Sequence, residues 1–309
     1  MSAPTDVRIP EQRAGGKLLI DEPGVYDLPE EDYHRDPVAG GSLSATGMKK
    51  LVDEDGWTPA HFQAWMKEGN REPSESQNFG SATHTAVLGR GPEVVAFPRA
   101  DGRTKEGKAI KADADAARGE GKIVVTEEEA EVIAGMRDAI QRSQWATTLL
   151  NHEFGKPEQT MIWRDEGTGV WCRSLVDFLR KPEQDGRLWL VDFKTADSAA
   201  PSKWIRKAFD WGYHIQRSQY AAGARMLNLA EEVEFVFLIQ EKRKPYLVNQ
   251  IRLDAKGIAI GDYVRAKALN TYAECMSRYG WDQQWPGYPE ELVTAETPGY
   301  ISYQYPEVD

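Results

Sequence analysis

Apolar positions recur with a period of about 3.6 residues through the first half of the chain and of about 2 after Pro157, so helices should give way to strands. Ser42-Leu43-Ser44 can cap a short helix running through Met48, Leu51 and Val52. A second helix fits His61–Met66 and a third starts near Phe79. Thr126 followed by Glu129 is a capping box, opening a helix through Val132, Ile133, Met136 and Ile140. Three strands then follow closely, Gln159–Arg164, Val170–Leu179 and Leu188–Lys194. Asp-Glu-Gly-Thr-Gly and Lys-Pro-Glu-Gln-Asp-Gly separate them as turns, and an antiparallel meander is the simplest arrangement. Helices fit Pro201–Phe209 and Tyr213–Leu227, strands fit Val233–Gln240 and Tyr246–Leu253, and a long helix fits Asp254–Arg278. Residues 1–20 read as a mobile polar tail, and the aromatic, Pro-rich stretch from Trp281 as an extended segment wrapping the core. Pro98–Lys122 holds Arg99, Arg103, Lys105, Lys108, Lys111 and Lys122 with few large apolar residues, which suits a basic loop or a weak helix. No internal repeat is visible.

Composition narrows the function. With 40% hydrophobic residues in 309, the bulk of the chain can build a core. The net charge of -11 gives no general attraction to nucleic acid or to an anionic membrane, so a polyanion would have to meet a local basic surface. No window is apolar enough for a membrane span or a secretory signal, and a cytoplasmic location is expected. Cys172 and Cys275 are too few for a four-thiolate zinc or iron–sulfur site, so any metal must take oxygen and imidazole ligands.

The stretch Leu188–Thr195 carries the strongest chemical signal. Alternation puts Leu188, Leu190, Asp192 and Lys194 on one face and Trp189, Val191 and Phe193 on the other. Acid-x-Lys triplets also occur at Glu106/Lys108, Glu120/Lys122 and Asp254/Lys256, but only Asp192 interrupts a run of large apolar residues, where an ionised group needs a partner or a metal. A strand-end salt bridge is the simpler alternative. Asp177, near the end of the preceding strand, would be brought beside Asp192 by a tight turn, and two close carboxylates call for a divalent cation. Lys194 could then position or deprotonate an attacking water. Gly80 and His84 share a helix face at i, i+4. Tyr213, Gln216 and Tyr220 form one helical stripe, and taken alone a helical His is more often a packing residue than a ligand and the stripe reads as helix packing around a buried amide.

Taken together, Gly80/His84, Asp177, Asp192/Lys194 and Gln216/Tyr220, in this order, resemble the motifs of the PD-(D/E)XK nuclease superfamily, within it the RecB-like group that includes phage exonuclease VIII (RecE-type) enzymes. The resemblance implies an α/β fold with a mixed central sheet flanked by helices, and one nuclease domain over 21–309. Within it, 42–150 would form the mainly helical part carrying His84, 151–278 the catalytic sheet and helices, and 279–309 an extended C-terminal segment. His84, Asp177, Asp192 and the Phe193 carbonyl would hold one or two Mg²⁺ or Mn²⁺ ions, with no iron–sulfur cluster. Lys194 would be catalytic, Gln216 and Tyr220 would lie against the site, and Glu158 matches a less specific acidic position ahead of the first strand. The residue before the first acid is Val176 where Pro is usual, and Leu175 replaces a common basic residue.

The implied activity is digestion of linear double-stranded DNA from 5′ ends, leaving 3′ tails for a RecT-like annealing partner, by a ring-like homo-oligomer in a bacterial or phage-infected cell. Arg173, Arg103, Lys105, Lys203, Arg206 and Arg217 are the candidate DNA contacts, and Arg99–Lys111 with Lys207 could line a ring interior. An endonuclease of the same superfamily and a catalytically idle DNA-binding scaffold are the competing expectations.

Overall fold

A computed structural model describes residues 18–52, 57–68 and 75–308. In chain order the elements are β1 (Gly24–Tyr26), α1 (Glu30–His34), α2 (Ala45–Leu51), α3 (Pro59–Glu68), α4 (Glu75–Leu88), β2 (Val94–Phe97), α5 (Lys105–Gly119), β3 (Ile123–Thr126), α6 (Glu127–Arg142) and α7 (Gln144–Leu149). They continue with β4 (Gly155–Arg164), β5 (Trp171–Arg180), β6 (Leu188–Ala196), α8 (Pro201–Asp210), α9 (Tyr213–Met226), β7 (Val233–Glu241), β8 (Val248–Ile251), α10 (Ala255–Tyr279) and α11 (Gly299–Ser302). Side-chain caps set several helix starts. Ser44 accepts from the Gly47 N–H, Asp254 from Gly257, and Thr126 and Glu129 close the expected capping box in both directions.

The main sheet has the strand order β1-β4-β5-β6-β7-β8. β4, β5 and β6 form the expected antiparallel meander, whereas β6 and β7 pair in parallel. A parallel pair cannot be closed by a hairpin, and α8 and α9 make the crossover. The sheet is therefore mixed, with helices on both faces. Alternation along β6 divides two cores as expected. Leu188 and Leu190 join Trp204, Ile215, Tyr220, Phe235, Phe237 and Leu269 on the α8–α10 side. Val191 and Phe193 join Leu88, Ile140, Leu149, Phe178 and Leu238 on the other. Two glycines permit close approach of α9. A Cβ on Gly223 would lie 2.6 Å from the Trp163 ring of β4, and one on Gly261 of α10 would run into the His214 carbonyl.

Several expectations need correction. Residues 1–17 of the anticipated tail lie outside the described residues, but Ile20 is buried and its N–H bonds to the Pro37 carbonyl at 2.7 Å, so packing begins before residue 21. In the basic stretch 98–122 the helix alternative holds from residue 105 onward. α5 starts at the Thr104 cap and links β2 to β3, which pair in parallel as a small sheet of their own. Its Ala114 and Ala117 give the helix a narrow buried side that large apolar residues do not mark. Of the C-terminal segment, Trp281 and Trp285 stack on one another and Trp285 on Phe62, while Leu292, Tyr300 and Tyr303 stand exposed rather than wrapped onto the core.

Candidate active site

The site forms where two strands part. β5 and β6 pair only through Phe178↔Val191 and Leu179↔Leu190, and the next residues outward from these pairs are Asp177 and Asp192. Asp177 turns into the gap, where its Oδ2 accepts the Phe193 N–H at 2.7 Å. His84 reaches the same place from α4, its Nδ1 3.7 Å from that oxygen and its ring edge-on to Phe193. Asp192 is almost wholly buried. Gln216 of α9 donates to its Oδ1 at 2.6 Å, and the Lys194 Nζ stands 2.6 Å from Oδ2, though out of line for a hydrogen bond. Lys194 also lies over the Tyr213 ring, 5.2 Å from its centre. Side-chain exposure runs from 25% at His84 through 19% at Lys194 and 13% at Asp177 to 1% at Asp192, so the cluster opens on the His84 side.

Electrostatics follow from crowding four acids, Asp177, Asp192, Glu158 and Glu30, in low dielectric. Burial pushes Asp192 up to about 6, helped by the charge of Asp177 and opposed by Lys194. Asp177 is raised by burial and by Glu30, against the pull of Lys194 and the Phe193 N–H. Lys194 loses hydration, but Asp192 and Asp177 together outweigh that loss and hold the ammonium firmly protonated. Burial and the Lys194 charge push His84 down to about 4, leaving a neutral imidazole at neutral pH. Glu158 is not ahead of the strand but inside β4, at φ 48° and bracketed by the pairs Pro157↔Phe178 and Gln159↔Val176, so it faces Asp177 across the ladder. A left-handed non-glycine residue in a strand is strained by roughly 1–3 kcal/mol and persists only where its surroundings demand it. Burial, Glu30 and Asp177 raise the Glu158 carboxyl to about 7, with Arg90 opposing at 3.6 Å.

The donor set suits a hard divalent ion. It offers a neutral imidazole, two carboxylates both raised by burial, and a buried Asp192 Oδ2 with no aligned hydrogen bond. The spacing is wider than ligation requires, since among the described residues no three His, Cys, Asp or Glu side chains converge as a metal cluster. Gln216 and Lys194 draw Asp192 one way while the Phe193 N–H draws Asp177 another.

The other predicted residues separate. Tyr220 is buried beside Gln216, whose hydrogen bond opposes the rise that burial imposes on its phenol. Arg173 does not face solvent. Its guanidinium is held by Asp36 at 2.9 Å and by the Ser42 carbonyl and hydroxyl at 2.7 and 2.8 Å, which makes it a strut between β5 and the segment after α1. Arg173→Ala should therefore unfold at a temperature lower by about 5–10 °C, since breaking a buried pair costs about 3–5 kcal/mol, and thermal denaturation measures it. Arg217 is likewise buried, facing Asp262 at 3.9 Å. Lys203 and Arg206 are exposed on α8. Lys105 is exposed at the start of α5, and Arg103 just before it is tied to Asp101. Glu30 and Arg90 belong to the site's surroundings without having been singled out in the sequence, and Tyr213 belongs there although it stood out only as a stripe residue. Glu30 sits in an acidic first turn and Tyr213 on the Gln216 stripe, which are the only signals they leave.

A mixed sheet whose parting strands carry an acid on one and acid-x-Lys on the other, with helices on both faces, defines a PD-(D/E)XK-type nuclease fold. Residues 44–293 match the family described as PDDEXK-like domain of unknown function (DUF3799), and the chain belongs to that family. Among solved structures it is similar to a protein from Eubacterium rectale described as a "Putative exonuclease", with 13% identity, a TM-score of 0.53, and 90% of this chain and 98% of the other covered. SSO0001 aligns over 68% of this chain and 83% of its own at 10% identity, and its TM-score of 0.25 carries no argument. No curated protein matches the sequence. No described helix is long and apolar enough to cross a membrane.

Proposed function

We propose that this chain is a divalent-metal-dependent exodeoxyribonuclease acting on the ends of linear double-stranded DNA. The observation that carries the reading is the gathering of His84, Asp177, Asp192 and Lys194 where β5 and β6 part. His84, Asp177, Asp192 and the Phe193 carbonyl are the groups to hold Mg²⁺ or Mn²⁺, which supplies Lewis acidity toward a phosphoryl oxygen and activates water. Lys194, kept protonated by two acids, orients the attacking water and faces the negative charge that builds on phosphorus. Gln216 fixes the Asp192 rotamer, the Phe193 N–H fixes Asp177, and Tyr213 flanks the ammonium. Polarity from 5′ ends, 3′ single-stranded products, an annealing partner and a homo-oligomeric ring are part of the proposal and rest on the resemblance to exonuclease VIII-type chains.

Linear duplex labelled separately at each end tests it. With Mg²⁺, the 5′ label should appear early in mononucleotides while the 3′ label stays in long strands, and EDTA should abolish release. Covalently closed circles should survive. Cutting of the circle points instead to an endonuclease, and no turnover with either metal removes the enzymatic reading.

A further inference from the structure

The basic segment 99–122 has no part in the cluster around Asp192, yet it borders a sizeable cavity. α5, β2, β3 and the starts of α4 and α6 enclose a groove of about 710 Å³, within the range of about 300–1,000 Å³ usual for ligand sites. Its floor is apolar, with half-buried Phe79, Phe97 and Ile110 above buried Ala114 and Val125. Its rim is cationic. Arg99 and Lys111 line it, both are exposed, and neither pairs with a carboxylate among the described residues; Lys105 and Lys108 continue the charge along α5. Arg118 is neutralised by Asp115 at 2.6 Å. Of the two lining carboxylates, Glu129 is taken up by the Thr126 cap and Glu128 stays at the solvent edge. Phe79 precedes His84 by five residues on α4, about 7.5 Å of helix rise and about 140° of turn, so one helix carries a groove residue on one side and the nuclease-site imidazole on another.

We infer that this groove is a subsite for single-stranded DNA, receiving the unpaired strand next to the point of cleavage. Paired bases keep their faces inside the duplex, and a convex basic surface is enough to bind a duplex backbone. A concave site with aromatic rings on the floor and unpaired cations on the rim fits a strand whose bases are free to stack while its phosphates meet Arg99 and Lys111. The subsite also shows how a chain of net charge -11 holds a polyanion, since the cations are concentrated beside the site. The inference deepens the nuclease reading and rests on it for the identity of the ligand.

The test uses the full chain in EDTA, with a fluorescent single-stranded oligonucleotide and a blunt duplex of equal length followed by anisotropy over a range of salt. Arg99→Glu/Lys111→Glu is compared with Lys256→Glu/Lys267→Glu, which changes the net charge equally on exposed positions of α10. The groove variant should bind the single strand about tenfold more weakly than the control variant, and its log–log salt slope should shrink by about 1.4, the loss of two single-strand phosphate contacts. The duplex should be affected less. Equal affinities and slopes for the two variants overturn the inference, as does wild-type protein that binds no single strand. Wild-type protein that digests duplex while the groove variant binds normally removes the subsite and keeps the nuclease. Groove-dependent binding without Mg²⁺-dependent digestion does the reverse.

Discussion

Asp177→Asn should lose at least about 10³ in DNA digestion rate while unfolding at the same or a higher temperature. The loss corresponds to about 4 kcal/mol of transition-state stabilisation, the scale expected when a carboxylate that holds a divalent ion is neutralised. The stability argument is independent. The Asp177 carboxyl is raised in the folded protein by burial and by Glu30, so its proton is bound more tightly folded than unfolded. Such a group favours the fold most below its unfolded pKa, and that contribution is lost as pH climbs through the folded value. At pH 7 the carboxylate is a net burden, which Asn lacks while its side-chain oxygen still accepts the Phe193 N–H. The unfolding temperature should rise by up to about 3 °C. Millimolar Mg²⁺ should raise it for wild type by preferential binding to the folded state, and not for Asp177→Asn. A variant that unfolds early and loses activity in proportion would show that Asp177 acts through folding alone.

How much of this could be read from the chain depends on the range over which each signal acts. The meander, the crossover helices and the α10 start are written locally, in alternation, in turn residues and in the caps at Thr126 and Asp254, and these elements fall within a few residues of expectation. β1, β2 and β3 escape notice because three- and four-residue strands carry too little periodicity, and α5 could be read only as a loop or a weak helix because its buried side is alanine. At the site, Asp192 stood out as an acid in an apolar run, whereas Glu158 is informative only through its left-handed backbone and its place opposite Asp177. Arg173 and Arg217 were misread as DNA contacts for a similar reason. Composition marks an arginine as cationic, but only tertiary packing shows that Asp36, Ser42 and Asp262 already face it. Convergence of imidazole and acids is likewise a matter of tens to hundreds of residues of separation. The helix and strand positions bring the three groups to one place, but the hydrogen bonds of Gln216 and Phe193 fix side-chain directions that spacing could not foretell.

Lys194→Met should abolish digestion by a similar factor, and its effect on stability should depend on pH. The ammonium is the positive charge beside Asp192 Oδ2, and removing it leaves a carboxylate at 1% exposure with Gln216 as its remaining donor. Breaking one side of a buried ion pair typically costs about 3–5 kcal/mol. Here the acid has an escape, because its folded pKa already stands near 6 and Lys194 is the strongest influence holding it down. Without that charge the carboxyl takes up a proton at still higher pH. The deficit relative to wild type should therefore be small at pH 5, where Asp192 is largely neutral in both folded proteins, and should grow toward pH 8 as the wild-type carboxyl ionises near 6 while that of the folded variant still resists. Thermal unfolding at pH 5, 6.5 and 8 measures this directly. Adding Asp192→Asn to Lys194→Met removes the unpaired charge and should flatten the pH dependence without restoring cleavage. A deficit equal at pH 5 and pH 8 would mean that the two side chains do not share a buried electrostatic environment, and the role given to Lys194 in holding charge at the reacting phosphate would go with it.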